Sequence, residues 1–176
     1  MQSLVLPALV PWHDFFSLLG EAAATMTGLL FVAASVGSGI FSANRPGAVR
    51  MFLSSSVVHF ACILTVCMIA LAPIPNAALL GAMIAACGGF GLIYCGLALR
   101  DLARTGRVAA VDWEDRSWYC LFPVIGYLLE TGAGVALARK AEAGGAVLAL
   151  GLVILLLSAI HNAWDITVWS ITRPRE

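Results

Sequence analysis

Residues 144–171 read GGAVLALGLVILLLSAIHNAWDITVWSI, and this stretch decides the fold class. An α-helix needs about 20 consecutive apolar residues to cross the hydrocarbon core of a bilayer, at 1.5 Å of rise per residue. As far as Ile160 the run carries no charge at all. It is longer than the core segments of soluble domains and reads as a membrane span. Then His161 and Asp165 stand four residues apart, with Asn162 and Trp164 between them. An imidazole and a carboxylate in lipid-soluble sequence need a reason.

Working outward, comparable runs lie near 15–41, 50–72, 76–99 and 118–138. The composition agrees, with 61% of the 176 residues hydrophobic and 11% charged. Soluble domains are about half apolar and about a quarter charged. The short alternating segments of a membrane β-barrel are missing. The expected fold is therefore all-α: one polytopic integral membrane domain over residues 1–176, a bundle of five transmembrane helices.

Basic residues set the expected orientation. Arg45 and Arg50 follow the first span; Arg100, Arg104, Arg107 and Arg116 follow the third; Arg173 and Arg175 follow the fifth. The other side holds Arg139 and Lys140 alone. This bias predicts the N-terminus outside and the C-terminus in the cytoplasm. MQSLVLPALVPWHDFF at the start has no basic leader, so no separate targeting sequence is expected. Trp12, Trp118, Tyr119 and Trp169 fall where interfacial aromatic anchors belong.

The longest connection is residues 100–117, RDLARTGRVAAVDWEDRS. It is expected to be cytoplasmic, a solvated connector with partner docking as its second use, and DWEDR there suits a short interfacial helix. No internal repeat divides the spans into inverted halves, which weakens a transporter of that kind. Cys62, Cys67, Cys87, Cys95 and Cys120 all fall in spans, in no CxxC pattern, and read as small packing residues. Small residues recur at close-packing spacing: Gly20, Ala24 and Gly28; Gly81, Ala85 and Gly89; Gly126, Glu130 and Gly134. Packing within the bundle is their first use, and a homo-oligomer in the lipid bilayer their second.

Residues 20–37, GEAAATMTGLLFVAASVG, contain A-A-A-T-x-x-G-L-L-F-V-A behind a small polar opening. This segment resembles a signature in the first span of uncharacterised bacterial multi-pass membrane proteins. The resemblance covers little more than one helix. It implies a bacterial inner-membrane location and no activity.

Ionisable groups at membrane depth cost ~2.5–3.5 kcal/mol each on insertion scales, which makes them functional candidates. They are Glu21, His59, Glu130, His161 and Asp165. Each shares a helix face with small or hydroxylated residues: Ser17, Thr25 and Gly28 with Glu21, Ser55 and Ser56 with His59, Tyr127 with Glu130, Ser158 with His161. That pattern points them into the bundle. Counting rise along the spans puts Glu21 and Glu130 in a shallow layer, with His59, His161 and Asp165 below.

Three readings follow. In the first, an ion- or proton-conducting channel or transporter uses Glu21, Thr25, Glu130, His161 and Asp165 as its path. In the alternative, His59, His161 and Asp165 hold haem or a transition metal, since H-x-x-x-D puts both groups on one helix face. In the third, the groups only hold a structural subunit or scaffold together. An enzyme is the lesser expectation, because no nucleophile or G-x-S-x-G or H-E-x-x-H motif is present. Nucleic acid is excluded as a partner by a net charge of zero.

Overall fold

The structure, a computed structural model, describes residues 6–41, 46–104 and 117–172. All of its regular structure is helical among these residues. A short 3-10 turn, Val10–Trp12, leads into α1 (His13–Phe41), followed by α2 (Pro46–Leu71) and α3 (Ala77–Arg104). A π turn, Ser117–Leu121, opens α4 (Phe122–Ala138), and α5 is Gly144–Thr172. Among the described residues, four stretches are long and apolar enough to cross a membrane: Val10–Ser35, Ala77–Asp101, Ser117–Ala138 and Gly144–Asp165. In α2, the described stretch Ser55–Leu71 is apolar as well. The chain is a multi-pass membrane protein by these helices. α3 continues to Arg104, into the stretch expected as a loop. DWEDR and Trp113 lie outside the described residues.

The helix ends have local causes. Asn76 caps α3, its Oδ1 accepting from the Leu79 N–H at 3.1 Å, after a Pro73–Pro75 segment that cannot continue a helix. α4 ends in a Schellman turn, with Ala141 N–H donating to the Ala136 carbonyl and Lys140 N–H to that of Leu137, both at 2.9 Å. Lys140 takes the left-handed position there, φ 59°, where glycine is usual.

Packing makes a ring of four helices in the order α2–α5–α4–α3, closed weakly between α3 and α2. α1 lies outside the ring against α2, touching α5 lightly. Lipid chains are as apolar as leucine, so helices associate here through close fit rather than burial from water. Glycines provide that fit. A Cβ on Gly134 would stand 2.6 Å from the Gly81 carbonyl, so α3 and α4 meet backbone to backbone. Between α4 and α5, a Cβ on Gly126 would meet the Leu155 side chain at 2.7 Å and the Gly151 carbonyl at 3.1 Å. Gly89, by contrast, faces open space, and Gly88 and Gly91 make the α3 contacts instead. Leu9, Phe16, Ile63, Leu80, Ile84, Leu148, Leu152 and Leu155 fill the interior. Gly145 lets Ala8 and Trp12 pack closely against the start of α5.

Candidate functional site: a polar axis through the bundle

α2 and α4 are not neighbours in the ring, yet their side chains meet across its axis. His59 of α2 is 1% exposed. Its Nδ1 lies 2.7 Å from the Tyr127 hydroxyl of α4, and its Nε2 lies 3.1 Å from Ser55 Oγ one turn along its own helix. Tyr94 of α3 presents its ring edge-on to the imidazole at 6.3 Å. The Tyr127 ring rests on Gly91, where a Cβ would run into it. A glycine in α3 therefore sets the position of a hydroxyl in α4. The Cys62 side chain lies near that same hydroxyl.

One turn along α4, Glu130 is fully buried, with both carboxyl oxygens lacking a hydrogen-bond partner among the described residues. Cys62, Cys67 and Cys87 surround it within electrostatic reach. In the other direction, Ser56 Oγ on α2 and both amide atoms of Asn162 on α5 are also buried without partners. An unmatched buried polar group costs about 1–3 kcal/mol. Three such residues along one axis are more than packing needs.

The Trp118 end carries a second cluster. His161 Nε2 lies 3.1 Å from Asp165 Oδ2 one turn along α5, and the Tyr119 hydroxyl reaches the same carboxylate oxygen at 3.5 Å. Trp118 stacks on the His161 ring, centroids 4.3 Å apart and planes 21° apart, with Phe122 behind it. Trp118 and Tyr119 both belong to the π turn. From this turn Trp118 reaches His161 and Tyr119 reaches Asp165, and π turns recur at functional sites.

The arrangement differs from the sequence expectation at three points. Glu21 does not face Glu130 in the bundle; it is exposed on α1, outside the ring, with Thr25 exposed beside it. The face of α1 that packs is Phe16, Leu19, Gly20 and Ala23, with Gly20 fitted over Cys67, and this turns Glu21, Thr25 and Gly28 outward while Ser17 is half-buried. His59 and His161 do not form a joint ligand pair: Tyr127 and Ser55 hold one, Asp165 and Trp118 the other. Among the described residues, no three His, Cys, Asp or Glu side chains converge as a metal set. Ser158 bonds back to the Ile154 carbonyl at 2.8 Å and takes no part with His161. Sequence reasoning missed Asn162, Tyr94 and the Trp118 stack. The signal for Asn162 was its position beside His161 in an apolar run.

A groove of ≈ 510 Å³ opens between α2 and α3, lined by Val58, Ala61, Cys62, Thr65, Ala86, Cys87 and Phe90. Its walls are almost wholly apolar, so it suits acyl chains and offers an ion no route. No protein-family model, no curated protein and no solved structure matches the chain.

Proposed function

We propose that this is a five-span protein of the bacterial inner membrane whose bundle axis conducts protons. Glu130, Tyr127, His59 and Ser55 form the relay, and His161 with Asp165 forms its cytoplasmic mouth. The observation that carries this reading is His59, buried at the axis with a hydroxyl on each ring nitrogen, at 2.7 and 3.1 Å.

A neutral imidazole donates through one nitrogen and accepts through the other. Taking a proton at the accepting nitrogen and releasing the one opposite moves a proton across the ring, and tautomer exchange resets it. Tyr127 and Ser55 each both donate and accept, so they serve either direction. Glu130 stands one turn beyond Tyr127 with both oxygens uncommitted. Ser56 and Asn162 continue the polar axis toward His161. A proton needs only a chain of groups that both donate and accept, and Tyr127, His59 and Ser55 are such a chain.

The fifth crossing is supported by the 26 residues of α2, which rise about 39 Å. Orientation rests on the basic residues: eight of ten lie in the connections and tail expected on the cytoplasmic side. The first-span signature supports the bacterial membrane.

The test is proton flux into liposomes carrying the full-length protein and an internal pH-sensitive dye, with potassium and valinomycin to clamp the potential. Wild-type protein is expected to collapse an imposed pH gradient. His59→Ala and Glu130→Gln are expected to slow it by at least about tenfold. Wild-type flux no faster than that of protein-free liposomes would overturn the reading.

A further inference from the structure

The outward face of α1 leaves another ionisable group unmatched. Glu21 is exposed inside the Val10–Ser35 span, roughly 12–16 Å from the start of the helix. Its carboxyl group makes no hydrogen bond or ion pair among the described residues. A carboxyl group turned toward acyl chains finds neither water nor a donor. The neighbouring hydroxyls do not share the difficulty, because Thr25 and Ser35 donate to the Glu21 and Phe31 carbonyls of their own helix, each at 2.8 Å. Glu21 alone on this face requires a polar cover.

Three features narrow what covers it. Leu18, Glu21, Thr25, Gly28, Val32 and Ser35 are all exposed and recur at alternating three- and four-residue steps, the period of a left-handed two-helix seam. A Cβ on Gly28 would meet nothing within 4 Å, so no contact inside the chain accounts for a glycine there. Among the described residues, Lys and Arg stand at or near helix ends, so no such cation lies at the depth of Glu21. What it does have at that depth is a second Glu21 on another copy. Two copies inserted the same way place α1 parallel to α1, and about a two-fold axis each residue of the seam meets itself. Two carboxyl groups that meet in this way are self-complementary, the O–H of one donating to an oxygen of the other.

We propose that α1 is the interface between two copies of this chain, with the Glu21 carboxyl groups hydrogen-bonded to each other and Gly28 at the point of closest approach. The interface stands whether or not the bundle conducts protons, since its test involves no flux.

Full-length protein carrying one fluorophore per chain is reconstituted in lipid nanodiscs and its subunits counted by photobleaching across a range of protein-to-lipid ratios. Wild type is expected to be dimeric. Gly28→Leu is expected to be monomeric while unfolding like wild type, since the added side chain enters open space within the chain. Gly132→Leu on α4, also open, is expected to remain dimeric. Glu21→Leu is expected to weaken association roughly 3- to 30-fold, and Glu21→Gln to retain it. A monomeric wild type, or a Gly28→Leu variant that associates like wild type, overturns the interface. Glu21→Leu associating as tightly as wild type overturns the carboxyl pair.

Discussion

The two histidines of the polar axis occupy opposite environments. His59 is sealed in the bundle, and its partners are hydroxyls. His161 keeps 27% of its side chain exposed, and its partner is a carboxylate that is 34% exposed. A charge is costly at the first position and screened at the second. The hydroxyl pair lets protons be exchanged without a lasting charge at the axis. The carboxylate and the Trp118 ring can both attract a charged imidazole near the rim. One residue type thus serves two tasks because different helices bring different neighbours to it.

The contrast can be broken most severely from a third helix. Gly91→Leu would push into the Tyr127 ring and separate α3 from α4, leaving the Trp118 cluster untouched. It is expected to cost about 3 kcal/mol in reversible unfolding in detergent, since the obstacle is a packed ring on a neighbouring helix. Stability within about 0.5 kcal/mol of wild type would mean that the ring is free to move aside.

Tyr127→Phe is a gentler change, removing one oxygen and leaving the ring on Gly91. His59 Nδ1 would lose its partner in a buried site, at a cost of about 1–3 kcal/mol in the same assay. A neutral result would show that Cys62 or another group takes over the imidazole.

Asp165→Asn probes the rim and should have the smallest effect. The His161–Asp165 pair is part-exposed and local to one helix, so its loss is expected to cost under about 1 kcal/mol. That cost should shrink further in high salt. An effect as large as that of Tyr127→Phe would erase the distinction between axis and rim.

Much of the scaffold was legible in sequence because it depends on local quantities. Span positions follow from run length, and the His161–Asp165 contact follows from four-residue spacing on one helix. The cross-helix partners were not legible. An apolar helix such as α1 has few markers of which side packs, and here a rotation of about one residue put Glu21 outside. Depth counting placed Glu130 beside Glu21 because both lie a similar distance along their helices. It could not register that α1 stands outside the ring. The Trp118 stack depends on a π turn, which breaks the 3.6-residue period used to assign faces.

The order of helices around the ring differs from their order along the chain, and this has a consequence for biogenesis. α5 sits between α2 and α4, although it is made after both. Helices emerging from a ribosome enter the membrane in chain order, so α2, α3 and α4 must wait beside one another with a slot held open. During that interval Gly126 has no Gly151 to close on, and the α4 face shared by Gly126 and Glu130 is uncovered. The seam between α4 and α5 is therefore the closing step of assembly. A defect there would leave Gly126 and the Glu130 turn of α4 without their α5 neighbour, Gly151.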